Sequence, residues 1–187
     1  VGIAKTPLTA REIKDKARSL GADLVGIADG KVLVSGGSFV SNVAWGVAYA
    51  AKIWNPDTRA WATAATAKRM RLYHSVSMLL PDGRVLTGGG GAPGPQTNLN
   101  AEIYSPPYLF ERNTSGRLAV RPVITAMPAT AAFGSTLTVG TNVTGVSKVT
   151  LVRTGSATHT VDFDQRLVPV SHTTSGTTVN VTMPSDP

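Results

Sequence analysis

Apolar positions in the first 28 residues recur at helical spacing. Thr9-Ala10-Arg11-Glu12 has the spacing of a capping box, Ile13, Ala17 and Leu20 follow at intervals of four and three, and Gly21 stands where a helix would stop. One short amphipathic helix is predicted there, and Ala22 to Ile27 predicts a strand after it. From Asp29 onward the periodicity becomes that of strands, and the chain repeats itself. Asp29-Gly30-Lys31-Val32-Leu33-Val34-Ser35-Gly36-Gly37 matches Asp82-Gly83-Arg84-Val85-Leu86-Thr87-Gly88-Gly89-Gly90 at an offset of 53. Ala51 to Pro56 matches Ala101 to Pro106 at an offset of 50. Each unit is a turn, a short apolar strand ending in glycines, a loop, and a second strand stopped by proline.

A period near ~50 residues with paired glycines and a later Trp or Tyr is the pattern of kelch repeats, in which each unit supplies strands of one propeller blade. Trp61, after the Asn55-Pro56-Asp57 turn, is expected to pack between blades. Two blades do not close a ring, because repeat units bury their cores only against neighbours, so a partial propeller is expected. After Arg121-Pro122 the chain turns to short Val/Thr-rich strands around 135–141, 147–153 and 177–183. Alternation is visible in Val149 and Leu151 and again in Val179, Val181 and Met183. An immunoglobulin-like β-sandwich is expected there, with its last strands missing, since residues 121–187 fall short of the ~100 such a domain uses. The predicted fold is therefore all-β. Residues 1–28 form a leader of helix plus strand, 29–120 about two kelch-type propeller blades, and 121–187 an incomplete sandwich.

Composition removes several classes of function. The 18 Lys+Arg against 11 Asp+Glu give +7, but the cations are scattered from Lys5 to Arg166 and only Lys68, Arg69 and Arg71 cluster, so no nucleic-acid partner is expected. With no cysteine, the chain cannot form disulfides, zinc-thiolate sites, iron–sulfur clusters or a thiol nucleophile. No run approaches the ~18 apolar residues of a membrane span; the longest, Val43 to Ala51, is interrupted by Gly46. The chain opens on Val1 without the pattern of a signal peptide and stops at Asp186-Pro187, as expected of a piece of something longer. Three Asn-x-Ser/Thr sequons, at Asn113, Asn142 and Asn180, matter only on a glycosylating secretory route, and in a Thr-rich chain chance is the simpler origin.

The chemistry rests on the histidines. His172, in Ser171-His172-Thr173, is expected to be exposed. His74 stands beside Tyr73, and imidazole nitrogen with phenolate oxygen suits a tetragonal Cu(II) site. Neighbours on a regular strand point to opposite faces, so Tyr73 and His74 can share a metal only where the backbone is irregular. His159 lies in Thr158-His159-Thr160.

Arg71-Leu72-Tyr73-His74-Ser75 through Val85, with Gly88 to Gly91, resembles the copper-ligand strand of the copper radical oxidases, the galactose oxidase and glyoxal oxidase group. Ala101 to Phe110, Arg121-Pro122 and Ala157-Thr158-His159-Thr160-Val161-Asp162-Phe163-Asp164-Gln165-Arg166 resemble that family's last blade and C-terminal sandwich. The resemblance covers roughly Asp29 to Pro187. It implies a seven-bladed propeller and a sandwich whose histidine loop reaches the copper, with His74 and His159 as equatorial ligands and Tyr73 as axial ligand and base. It also implies an extracellular oxidase that converts a primary alcohol, carbohydrate or aldehyde while O₂ becomes H₂O₂, using copper and a tyrosyl radical on a cysteine-crosslinked tyrosine. The chain departs from the family here: without cysteine that radical cofactor cannot form within it, and the chain alone is expected to be inactive. Two alternatives stand beside this expectation. One is a non-enzymatic kelch and sandwich module that binds glycan or protein, and the other a degenerate or chimaeric product. Ile13 to Ile27 faintly resembles the N-termini of epoxyqueuosine reductases and reductive dehalogenases without their cofactor motifs, which makes the leader a candidate for foreign sequence joined near Ala28.

Overall fold

The computed structural model describes residues 24–28, 30–153, 155–158, 161–162 and 166–186. The helix expected over Thr9 to Leu20 lies outside the described residues, while the strand expected after it is present. In chain order the strands are β1 (Leu24–Ala28), β2 (Lys31–Ser35), β3 (Ala50–Asn55), β4 (Ala60–Thr66), β5 (Ser75–Leu79), β6 (Val85–Gly89) and β7 (Ala101–Tyr104). They continue as β8 (Ile124–Ala126), β9 (Thr136–Thr141), β10 (Val149–Val152), β11 (Ala157–Thr158), β12 (Val161–Asp162), β13 (Leu167–Val170), β14 (His172–Ser175) and β15 (Thr178–Thr182). Among the described residues the one helical element is the 3₁₀ turn Pro107–Leu109, and no helix is long and apolar enough to cross a membrane. The described residues are all-β apart from that turn.

Two compact units divide the strands. The first takes in the described residues within Val1–Leu109 and Thr154–Gln165, the second those within Phe110–Arg153 and Arg166–Pro187. The first unit holds a sheet in the order β11-β12-β1-β2-β3-β4 and a three-stranded sheet β5-β6-β7, antiparallel throughout except where β1 meets β12.

The sequence repeat is also a repeat of register. Val32 stands opposite Trp54, Leu33 opposite Ile53 and Val34 opposite Lys52; in the other sheet Val85 stands opposite Tyr104, Leu86 opposite Ile103 and Thr87 opposite Glu102. These are the same pairs moved by the two sequence offsets. Register is held because a slip of one residue would turn every core side chain to the other face. The first strands correspond as well. Ile27 opposes Val32 as Leu79 opposes Val85, so β1, from the segment that sequence sets apart as a leader, takes in one sheet the place of β5 in the other. The turn between β5 and β6 is an Asp-Gly pair: Gly83 lies at φ 82°, where an L side chain is strained, and Asp82 Oδ1 accepts a hydrogen bond from the Arg84 amide at 3.0 Å.

Burial follows from this pairing. Val32, Leu33 and Val34 are all buried, as a central strand covered on both faces requires. Leu33 and Ala51 of one sheet meet Val85 of the other in a shared core, with Ile53, Ala64, Leu79 and Tyr104 packed around it. Trp61 differs from expectation: it faces Trp54 across the β3–β4 pair, ring centroids 6.5 Å apart, because directly opposed residues project from the same face of one sheet.

The second unit pairs strands in the order β14-β15-β9-β8, beside a β10-β13 pair. The alternation in β15 is realised, with Val179 and Val181 buried against Val139 of β9, while Leu137, Val146, Val149, Val170 and Met183 close the cluster from both sheets. This is the expected sandwich, formed around one apolar layer.

Leu33→Ala should lower the unfolding free energy by about 2–5 kcal/mol, as deletion of a buried leucine does; a loss within about 0.5 kcal/mol in urea unfolding, the range of surface substitutions, would contradict the shared core. Burial raises the pKa of the Tyr104 phenol above its ordinary 10.0, since desolvation disfavours the phenolate. The unfolded chain therefore ionises first, and this residue's stabilisation is complete below pH 10 and is lost as pH rises through the folded-state pKa. Unfolding titrations should show Tyr104→Phe gaining on the parent above pH 10; a difference constant with pH contradicts that burial.

Candidate functional site

The segment entering β5 is anchored on both sides of a two-residue turn. Arg71 and Leu72 are 2% and 0% exposed and Ser75 is fully buried, whereas Tyr73 between them is 42% exposed and His74 is exposed. Three backbone bonds hold the segment. The Gly37 amide donates to the Arg71 carbonyl at 2.7 Å, the Ser75 amide to the Leu72 carbonyl at 2.9 Å, and the Gly91 amide to the Tyr73 carbonyl at 2.8 Å. The glycines ending each repeat make this approach possible. A Cβ on Gly36 would stand 2.7 Å from the Arg71 carbonyl oxygen, and one on Gly90 would stand 2.9 Å from that of Leu72 and 2.7 Å from Ser75 Cβ. The two glycine runs clasp the segment from either side.

Within this clasp His74 adopts φ 67°, a left-handed conformation uncommon for a residue with a Cβ. It removes the obstacle that a regular strand poses. The Tyr73 and His74 rings lie together, centroids 3.8 Å apart and planes inclined by 36°, instead of on opposite faces. A phenol oxygen and an imidazole nitrogen are thus offered from one exposed turn.

Under the turn sits a polar network that the sequence does not announce. Arg71, grouped by sequence with Lys68 and Arg69, is buried, and its Nη1 donates to the carbonyls of Gly89 at 3.2 Å and Asn100 at 3.1 Å. Its Nη2 donates to Asn100 Oδ1 at 2.8 Å and pairs with Glu102 Oε2 at 3.1 Å. Asn98, also buried, donates from Nδ2 to the Met70 carbonyl at 2.9 Å and the Gly90 carbonyl at 3.2 Å. The only sequence signal for this network is the alternation of Asn98, Asn100 and Glu102 leading into β7.

His159 lies outside the described residues, so its position relative to Tyr73 and His74 is not assigned. Its described flanks pair with each other, Ala157 with Asp162 and Thr158 with Val161, and join β1 where Val25 opposes Val161. Both flanking strands adjoin β5, which starts one residue after His74. His172, expected to be exposed, is instead partly buried on β14, where Nε2 meets the Val146 carbonyl at 3.0 Å, a structural bond in the second unit. Among the described residues no group of three or more His, Asp or Glu side chains could hold a metal. The Pro- and Gly-containing loop after Gly91 is tied to the preceding repeat by Asn42 Nδ2, which donates to the Gly94 carbonyl.

Comparison with known proteins bears on this arrangement. Residues 121–187 match the family described as "Galactose oxidase-like, Early set domain". Over 121 residues the chain is 44% identical to "Galactose oxidase" of Gibberella zeae, covering 63% of this chain and 17% of that protein. Over 112 residues it is 37% identical to "Aldehyde oxidase GLOX" of Vitis pseudoreticulata, covering 54% of this chain and 21% of that one. A solved structure titled "Novel fungal alcohol oxidase with catalytic diversity among the AA5 family, in complex with copper" superposes with a TM-score of 0.79 at 28% identity, over 87% of this chain and 36% of its own. The chain therefore spans about a fifth of the length of these curated relatives. It belongs to the galactose oxidase and GLOX family of copper radical oxidases, of which it carries a C-terminal portion that includes the early-set immunoglobulin-like domain.

Proposed function

We propose that this chain is the copper-holding end of an oxidase that converts a primary alcohol, carbohydrate or aldehyde with O₂ to give H₂O₂. The observation that carries the proposal is the left-handed turn at His74, which sets the Tyr73 and His74 rings side by side in an otherwise buried segment. Two sheets with one register also support part of a kelch-type propeller, in which β1-β2-β3 and β5-β6-β7 belong to successive blades. An oxidase of this kind is expected outside the cell.

The donor chemistry fits copper. Phenol oxygen and imidazole nitrogen are the O and N donors that Cu(II) takes in tetragonal sites, and one exposed turn carries both rings. Tyr73 and His74 would hold the ion together with His159. Bound copper supplies Lewis acidity and one of the two one-electron acceptors that a two-electron oxidation requires. Tyr73, whose ring is open to solvent, would as a phenolate held by the metal take the proton of a substrate hydroxyl. Buried Leu72 and Ser75 anchor the backbone on either side of the turn that carries that ring.

The second electron acceptor has no counterpart here. A thioether-linked tyrosine needs a cysteine, and the chain has none, so no step through such a group is available within it. The chain by itself holds metal without oxidising substrate.

Titration of the chain with Cu(II) should give an axial EPR spectrum, and His74→Ala or His159→Ala should raise the dissociation constant by about tenfold or more, equivalent to about 1.4 kcal/mol. Copper signal no greater than that of buffer refutes the site. The copper-loaded chain should release no H₂O₂ from galactose, a simple primary alcohol or an aldehyde, and release in a peroxidase-coupled assay would show that the redox partner is not needed.

A further inference from the structure

The buried guanidinium beneath the turn has a role that fold stability alone does not explain. Arg71 is 2% exposed and its planar fork is used on both terminal nitrogens, toward two main-chain carbonyls, one amide oxygen and one carboxylate. An apolar side chain of similar volume would hold the two glycine runs apart without the cost of desolvating a charge, and buried ion pairs replaced in that way commonly leave stability unchanged or raised. What an apolar residue cannot do is fix direction. The guanidinium ties the residue two positions before Tyr73 to the end of β6 at Gly89 and to the entry of β7 at Asn100 and Glu102, while its own carbonyl receives the Gly37 amide from the other sheet. The chain therefore reaches Tyr73 along a fixed course. A left-handed φ at a non-glycine residue persists only where its surroundings over-determine it, and His74 sits three residues from this anchor.

We propose that Arg71 is a positioning residue: its buried fork holds the Tyr73–His74 turn in the left-handed conformation that brings the two rings together. The consequence for metal affinity rests on the copper-site proposal above, whereas the conformational claim does not.

The test uses the full chain without metal. Two-dimensional NOE spectra should show ring-to-ring cross-peaks between Tyr73 and His74 in the parent. Arg71→Met, shown to be folded by a cooperative thermal transition, should lose them and bind Cu(II) at least about tenfold more weakly; Arg71→Lys, which keeps the charge without the fork, should recover little of either. A folded Arg71→Met that keeps the cross-peaks overturns the proposal. If Arg71→Met does not fold, Asn100→Ala decides: it removes the 2.8 Å acceptor of the guanidinium, with the longer bond from Asn100 Nδ2 to Asn98 Oδ1, and cross-peaks of parental strength there likewise overturn the proposal. Ring cross-peaks that depend on Arg71 in a chain that binds no Cu(II) would uphold the positioning role and refute the copper site.

Discussion

A charge taken out of water must be met by polar groups, and Arg71 meets this demand at both terminal nitrogens with groups that no single strand supplies. Its partners come from the end of β6, the residues entering β7 and the β7 carboxylate Glu102. Its carbonyl and Cβ press against the Gly36-Gly37 pair after β2, which excludes any side chain there. The two sheets of the first unit are thus joined in two ways. The apolar contact of Leu33 and Ala51 with Val85 is non-directional, and the Arg71 network is directional. The first holds the sheets together, and the second fixes the path of the segment between them.

Function draws on this division. Leu72 and Ser75 are buried, Tyr73 and His74 are not, and the polypeptide is forced outward for two residues between fixed points. A regular strand would spread two neighbouring donors over opposite faces; the turn gathers them. The stretch around His159 comes from a different part of the chain. The described residues beside it pair with β1 in the first unit although the residues before Thr154 and after Gln165 count with the second.

Much of this was legible in the sequence, because the signals were local. The two offsets in the repeat predicted paired units, and the structure reproduces them as identical register. Alternation in Val179 and Val181 predicted β15, and the Asp-Gly pairs predicted the turns. The Tyr73–His74 pair carried its own condition, an irregular backbone, and the left-handed residue meets it. What sequence did not show depends on contacts far apart in the chain. Strand β1 follows a helical pattern and shares no residue motif with β5, so its equivalence appears only in pairing. Arg71 looked like one of three clustered cations, since nothing local distinguishes a buried arginine from an exposed one. The partner of Trp61 was misplaced because opposed residues within a sheet leave the same apolar mark as residues between sheets. His172 found the carbonyl of Val146, from 26 residues earlier in the chain.

One copper ion joining Tyr73 and His74 to His159, as proposed, would carry two imidazoles, and counting the imidazoles on the metal decides whether that site exists. Electron spin-echo envelope modulation of the Cu(II)-loaded chain resolves couplings to the remote nitrogen of each bound imidazole. Two such couplings are expected, unchanged by His172→Ala and reduced to one by His159→Ala. A single imidazole in the parent, or a coupling that disappears with His172, would contradict it.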